Sequence, residues 1–238
     1  MQSCEHVQFV TFARNLAGGY DEKLVARTPE EWFDVLAQNE TKGLSLRHEA
    51  SSGAGLPDRI SAAFAGGGGG WSIDAIDRDG LTRSWRARWE VGNRDAIDRR
   101  IWRVSYGLVG EARPPAIHAT VAEIRPSLIR ALEDIRAFAA AQQLQNFVFC
   151  FQRALDALHS TARFGDYKDL VADGEGDGDR AALLDVCQSA WVFGGMGSWN
   201  DLSFEGELGR QYDQVSERLF ALLNQTIVAA TNEPQAAG

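Results

Sequence analysis

The acidic run DGEGDGD at residues 173–179 has the residue types and spacing closest to those of a metal site. Asp173, Glu175 and Asp177 occupy positions 1, 3 and 5 of a calcium-binding loop, and a glycine stands at position 6. Position 12 of such a loop supplies a bidentate glutamate, but here it is Leu184. We therefore interpret the run as an acidic surface loop, a candidate for electrostatic contact with a partner, and expect no bound metal.

The remaining reactive side chains form no motif that we recognise as catalytic. The four histidines lie in four segments, none with the i, i+4 spacing of a helical zinc pair. Ser198 follows a glycine, but a nucleophile elbow also needs a strand before the serine and a glycine two residues after it, and residue 200 is asparagine. Asp74, Asp77 and Asp79 cluster where a turn is expected, and forming that turn is the commoner role for such aspartates. We assign no catalytic residue, cofactor or metal ligand and leave open whether the chain is an enzyme.

The stretch WVFGGMGSWND at residues 191–201 is the most distinctive in the chain, with three glycines between two tryptophans. In a structural interpretation, Gly194 is the left-handed C-cap of the preceding helix and Trp199 staples a tight corner between helices. In a functional interpretation, the stretch is an exposed aromatic loop that binds a partner through side chains and accessible backbone N–H groups. In either case Asn200 or Asp201 caps whatever element follows. The candidate binding residues are Trp199, Asn200, Asp201, Gly195 and Gly197.

Eight arginines and four acidic residues lie between residues 78 and 103, a net charge of +4, whereas the rest of the chain carries −13. Within this segment LTRSWRARWEV alternates with period two, so its tryptophans form an inner face and Arg86 and Arg88 lie on the opposite one. The inner-face residues are Trp85, Ala87, Trp89 and Val91. Arginine beside tryptophan is typical of binding hot spots and nucleic-acid surfaces, which makes Arg86 and Arg88 binding candidates. The alternative is a solvated face whose arginines pair with acids of the helical half.

Patterning divides the chain into a mixed first half and a helical second half. Period-two runs at WSIDAID, LTRSWRARWEV and RIWRVSYGLV predict an antiparallel meander, with a tight hairpin at residues 78–80. TPEEWFDVLAQNE predicts a helix with Thr28 as its N-cap and a proline at its first position. ARPPA at residues 112–116 ends this region, and apolar residues at helical spacing follow it. We predict an α+β fold with halves 1–112 and 113–238 that pack as one compact unit.

Shorter patterns predict further single elements. VQFVTF and GLSLRHE have the alternation of strands, and LPDRISAAF predicts a short helix that stops at the five glycines 66–70. FVFCF at residues 147–151 is apolar at every position, which predicts that this part of a helix is buried on all sides.

Composition restricts the class of protein. The chain has 238 residues, a net charge of −9 and a pI near 5.0, which argues against nonspecific binding to nucleic acid or anionic membranes. No apolar run approaches the roughly 18 residues of a membrane helix. The three cysteines are widely spaced and the first residues lack the pattern of a signal peptide, so we expect a protein of the reducing cytoplasm.

These observations favour a small acidic module that binds another protein. Bacterial immunity proteins, which neutralise a cognate toxin by occluding it, are similar in these general properties, and an acidic surface speeds capture of a basic toxin domain. One alternative is a hydrolase whose site is assembled from dispersed carboxylates. Another is a nucleic-acid- or nucleotide-binding protein that uses the arginine- and tryptophan-rich sheet. We expect a monomer or a homodimer.

Overall fold

Strands dominate the chain up to residue 113 and helices dominate it thereafter. The computed structural model describes residues 4–15, 19–52, 55–114, 116, 118–159 and 178–232. The strands are β1 (Cys4–Arg14), β2 (Tyr20–Ala26), β3 (Gly43–Glu49), β4 (Gly70–Ile76), β5 (Thr82–Val91) and β6 (Trp102–Arg113). The helices are α1 (Pro29–Gln38), α2 (Asp58–Ser61), α3 (Val121–Ala141), α4 (Gln145–Ala157), α5 (Gly178–Ala190) and α6 (Gly206–Asn232), with a 3-10 turn at Trp199–Asp201.

The six strands found in the described residues form one mixed sheet in the order β2-β1-β6-β5-β4-β3. Strand β1 runs parallel to β6, and the other neighbouring strands are antiparallel. Strands β4, β5 and β6 form the predicted meander, which is confirmed. Together with the packed helices α3–α6, this sheet confirms the predicted α+β class. Sequence patterning missed β2, whose residues YDEKLVA are mostly polar and exposed.

The β4–β5 connection shows how local sequence sets the meander. Gly80 has a φ of +78°, a conformation that glycine adopts without strain. The Asp77 N–H donates to the Leu81 carbonyl at 2.8 Å. The Asp77 carboxylate accepts the backbone N–H groups of Asp79 and Leu81 at 3.0 Å each. The hairpin predicted at residues 78–80 is therefore confirmed, with Asp77 as a further turn residue.

Helix α1 packs on β1 and β2 and supplies the centre of the sheet's core. Its N-cap is Thr28, whose hydroxyl accepts the Glu31 N–H at 3.2 Å, and a proline begins the helix, as the sequence predicted. The Trp32 ring stacks on Phe9 of β1 with centroids 4.4 Å apart. It meets Trp85 of β5 edge-on at 5.6 Å. These three buried rings join the helix to the middle of the sheet.

The tryptophan-rich face of β5 is only partly covered. Trp85 is buried, but Trp89 and Val91 are 39% and 42% exposed. Trp89 contacts Trp102 of β6 edge-on at 6.1 Å, and this contact leaves part of the Trp89 ring in solvent. The prediction of a continuous inner face over residues 85–91 is therefore wrong for its second half. Period-two alternation assigns residues to a face, but it does not say how far another element covers that face.

Helices α3–α6 pack in a ring, with both α3 and α5 lying on α4 and α6. Their shared core includes Leu128, Phe151 and Leu219, each fully buried. Helix α3 begins with a capping box, in which the Thr120 hydroxyl accepts the Glu123 N–H and the Glu123 carboxylate accepts the Thr120 N–H at 2.7 Å. This backbone hydrogen bond lowers the pKa of Glu123 below its ordinary value.

The run FVFCF of α4 is not buried on all sides. Phe151 is fully buried, whereas Phe149 is 68% exposed. Residues two apart on an α-helix point about 200° apart, so one can face the core while the other faces solvent. The prediction of burial on all sides is wrong because apolar residue type alone does not tell which side of a helix has neighbours.

Contacts divide the chain into two units. The sheet unit comprises Met1–Ala50 and Gly69–Ala116, and the helical unit comprises Ser51–Gly68 and Ile117–Gly238. The connection between β3 and β4, including α2, thus belongs to the helical unit. That the two halves of the chain pack as one compact unit stays a prediction. Among the described residues, no helix combines the length and the apolar character needed to cross a bilayer.

Candidate partner-binding corner

The link between α5 and α6 carries most of the binding candidates found in the sequence. We call residues 191–201 the glycine corner. Of its large side chains, Phe193 and Trp199 are fully buried, Trp191 is 37% exposed, and Met196 is fully exposed. The corner therefore has a packed inner side and an outer side that ends in a methionine.

Trp199 is the centre of the packed side. Its indole N–H donates to Ser216 Oγ at 2.7 Å, and the Tyr212 hydroxyl donates to the Trp199 carbonyl at 2.6 Å. Its ring stacks on that of Tyr212 at 5.5 Å and meets Phe147 and Phe151 edge-on at 5.0 and 5.4 Å. The indole thus finds its acceptor and its packing inside the helical unit, as the structural interpretation expected. A direct contact of Trp199 with a partner stays a prediction, and it would require the ring to leave the core.

Hydrogen bonds fix the backbone of the outer turn. Ser198 is the N-cap of the 3-10 turn, and its Oγ accepts the Asn200 N–H at 3.2 Å and donates to the Gly194 carbonyl at 2.9 Å. The Asp201 carboxylate accepts the N–H groups of Gly197 and Ser198 at 2.5 and 3.2 Å. Asp201 therefore caps the short turn in which it lies rather than helix α6.

The three glycines of the corner have different environments. Gly197 has a φ of +80°, whereas Gly194 is not left-handed. The prediction of Gly194 as a left-handed C-cap is wrong, because α5 already ends at Ala190. A Cβ built at Gly195 or Gly197 would meet no atom within 4 Å, and one at Gly194 would meet only Ser198 Cβ at 4.0 Å. Among the described residues, nothing therefore packs against the side of Gly195 or Gly197 on which a side chain would stand.

Asn200 joins the corner to α2 through Arg59. Its Nδ2 donates to the Arg59 carbonyl at 2.7 Å, and its Oδ1 accepts from Arg59 Nη1 at 3.3 Å. The guanidinium is 6% exposed and forms ion pairs with Asp213 at 2.6 Å and Glu217 at 2.7 Å. It also lies 5.2 Å from the centre of the Tyr212 ring. Sequence analysis missed this cluster, because Arg59 is 141 to 158 residues away from its side-chain partners and carries no local motif.

Met196 occupies the tip of the outer turn. Its side chain is fully exposed, and Gly195 and Gly197 on either side add no side chain that covers it. A flexible thioether on a hydrogen-bonded turn is an apolar feature that adapts its shape to a partner. Sequence analysis gave the anchoring role to the tryptophan and missed the methionine. The signal was available, because a turn framed by glycines exposes its central residue.

Arg86 and Arg88 lie on the polar face of β5, as predicted, and each is about half exposed. Arg86 forms an ion pair with Glu49 at 3.2 Å. Arg88 pairs with Glu22 at 2.5 Å and with Glu90 at 3.0 Å. The hydrogen bond between Arg88 and Glu22 lowers the pKa of the Glu22 carboxylate and raises the pKa of the Arg88 guanidinium. These partners belong to the sheet unit, not to the helical half as the sequence-based alternative supposed, and they compensate the positive charge.

A shallow groove lies beside these two arginines. It is lined by Val10, Phe12, Arg86, Ala87, Arg88, Ser105, Gly107 and Val109. The Phe12 ring lies against Gly107, where a Cβ would come within 2.7 Å of it. The groove thus combines an aromatic edge with guanidinium groups that already form ion pairs with carboxylates. This pairing weakens the hypothesis of a nucleotide site, because little uncompensated positive charge faces the groove.

Asp74 is a fully buried carboxylate of the sheet unit. It accepts hydrogen bonds from Arg47 Nε and from Ser84 Oγ, both at 2.6 Å, and forms an ion pair with Arg47 Nη2. Sequence analysis treated it as one of three turn aspartates, but it lies in strand β4 and neutralises a buried arginine. A carboxylate that already accepts these hydrogen bonds is a poor general base for the hydrolase alternative, because its lone pairs are occupied.

The acidic candidates Asp173, Glu175 and Asp177 lie outside the described residues, so their roles stay predictions. Within the described part of the chain, no group of three or more His, Cys, Asp or Glu side chains is arranged to hold a metal ion.

No family model matches the sequence, and no curated protein or solved structure matches the chain.

Proposed function

We propose that the protein acts by stoichiometric binding of a protein partner, and that the glycine corner of its helical unit makes the central contact. The observation that carries the proposal is the full exposure of Met196 on a turn held by hydrogen bonds to Asp201 and Ser198. Methionine is enriched in interfaces, and a turn that is already ordered loses less conformational entropy on binding. Met196 is the anchor, and Trp199 is a positioning residue that holds the turn from inside.

The distribution of charge supports a basic partner. The helical unit contains 18 acidic and 10 basic residues, whereas the sheet unit contains 15 and 14. The negative charge is thus concentrated in the unit that carries the glycine corner, and Asp173, Glu175 and Asp177 contribute to it. Such a field accelerates the encounter with a cationic partner and weakens as salt is added.

The most specific form of the proposal is an immunity-type inhibitor that neutralises a cognate bacterial toxin by occluding it in the cytoplasm. An inhibitor of this kind needs no catalytic group, but it does need an ordered acidic surface with an apolar anchor. The free thiols of Cys4, Cys150 and Cys187 fit a reducing compartment. Burial also raises the pKa of the Cys187 thiol, which keeps it protonated and unreactive.

Isothermal titration calorimetry against the product of the adjacent gene, purified as its toxin domain, tests this proposal. The wild-type chain should bind with one partner per chain. Met196→Ser should weaken the complex about 30-fold, or about 2 kcal/mol, because a hot-spot side chain no longer fills its pocket. Its melting temperature should stay unchanged, since the exposed side chain contributes little to the packing of the fold.

Ile97→Ser is the matched control, because Ile97 is as exposed as Met196 but belongs to the sheet unit. This variant should bind like the wild type. Equal weakening by both variants, or full affinity of Met196→Ser, would contradict the role of the glycine corner. An adjacent gene product that does not bind would contradict the immunity assignment. Catalytic turnover abolished by one carboxylate substitution would establish the hydrolase alternative instead.

A further inference from the structure

The outer face of α4 is poor in charge, although it belongs to an acidic unit. Residues 137–152 contain no Asp, Glu, Lys or Arg, although 24% of the chain is charged. Phe149 lies on this outer face and is 68% exposed. Interface cores are depleted in charged residues and enriched in aromatic ones, so this surface has the composition of an interface.

The side chains around Phe149 follow from helical spacing. Gln145 and Asn146 lie one turn before it, and Gln152 and Arg153 lie one turn after it, so the five share one face. Apart from the half-buried Gln152, these residues are exposed, whereas the opposite side of α4 carries its buried core residues. We call these five residues the amide patch.

The carboxamide of Gln152 is already oriented. Its Oε1 accepts a hydrogen bond from Arg136, and its Nε2 donates to Asp156 at 2.8 Å. A carboxamide has a second acceptor position and a second N–H, and within the described part of the chain Gln152 retains one of each. Because every amide both donates and accepts, one amide patch is chemically complementary to another.

We infer that the amide patch binds a second copy of this chain, with the two α4 helices crossing antiparallel at Phe149 about a two-fold axis. Phe149 then meets Phe149 of the second copy. A residue that lies n positions before Phe149 faces the residue that lies n positions after Phe149 in the second copy. Gln152 therefore faces Asn146 of the second copy, which forms an amide pair. A two-fold interface requires a self-complementary surface of this kind.

The distribution of charge favours this face of α4 for the contact between two copies, and it favours the antiparallel crossing over the parallel one. With 18 acidic and 10 basic residues in the helical unit, contacts between two copies through acidic surfaces are repulsive. The amide patch carries one charge, that of Arg153. In the antiparallel crossing, Arg153 faces Gln145 of the second copy, whose carboxamide oxygen accepts from the guanidinium. A parallel crossing would oppose the two Arg153 side chains.

Sedimentation equilibrium of the full chain tests the inference. The wild-type chain should associate reversibly to twice its mass of 26.1 kDa. Phe149→Glu and Phe149→Lys should each be monomeric, because two like charges then meet at the axis. An equimolar mixture of the two variants should restore the dimer, because residue 149 faces its own counterpart across a two-fold axis. Restoration on mixing also shows that both variants are folded.

Phe64→Glu is the matched control, because Phe64 is 67% exposed and also belongs to the helical unit, and it should leave the association unchanged. A wild-type chain that stays monomeric up to its solubility limit overturns the inference, and so does an association that survives Phe149→Glu. Two folded monomeric variants that fail to associate on mixing overturn the two-fold crossing at Phe149.

Discussion

At the residue scale, burial distinguishes Trp199 from Met196, the two candidate anchors of the glycine corner. Trp199 is enclosed by aromatic rings and its N–H is bonded to Ser216, whereas Met196 lies in solvent. Removing a tryptophan from a core costs about 3–5 kcal/mol. A partner therefore gains contact at far lower cost from the methionine, while the tryptophan keeps the turn in place.

Ser216→Ala should destabilise the protein by about 1–3 kcal/mol, because the Trp199 indole N–H then loses its acceptor inside the core. Urea denaturation followed by tryptophan fluorescence measures the change as a lower free energy of unfolding. Gln214→Ala, at an exposed position of the same helix, is the control and should stay within about 0.5 kcal/mol of the wild type. Equal stability of Ser216→Ala and the wild type would show that the indole does not depend on this hydrogen bond.

At the element scale, the elements that could be predicted are those whose caps and turns lie close together in the sequence. The start of α1 follows from Thr28 and a proline, and the β4–β5 hairpin follows from one glycine and its neighbouring aspartates. The glycine corner was less predictable. Where α5 ends, and which glycine is left-handed, depends on how Trp199 packs against helices that are distant in the chain.

Gly197→Ala should lower the free energy of unfolding by about 1–2 kcal/mol, because an L-residue is strained at a φ of +80°. Gly195→Ala is the matched control, since its backbone is not left-handed and its added Cβ meets no atom within 4 Å. This control should stay within about 0.5 kcal/mol of the wild type when both are unfolded in urea. Equal losses in the two variants would mean that the turn does not require the left-handed conformation.

At the scale of the whole molecule, local features could be predicted from the sequence, whereas pairing between residues distant in the chain could not. Period-two and helical spacing sufficed for the α+β class and the meander, because both are local patterns. The parallel pairing of β1 with β6 and the ion pair of Arg59 with Asp213, 154 residues apart, have no local signature. The exposure of Phe149 belongs to the same class, because it depends on which elements the fold brings alongside it.

The two proposed surfaces of the helical unit use different chemistry. The glycine corner offers an apolar anchor on a unit whose negative charge attracts a basic protein. The amide patch, whose one charge is that of Arg153, suits a second copy of the same acidic chain. Met196→Ser alters the glycine corner and Phe149→Glu alters the amide patch. Neither substitution should affect binding at the other surface.

The most direct measurement of the central claim is the rate at which peroxide oxidises Met196 in the free protein and in its complex, followed by mass spectrometry of the peptide that contains it. In the free protein the thioether is fully exposed, so it should oxidise as fast as methionine in a short peptide. In the complex we expect oxidation to slow by about tenfold or more, because an anchoring sulfur is enclosed by the partner. Equal rates in the free and bound protein would contradict the assignment of Met196 as the anchor.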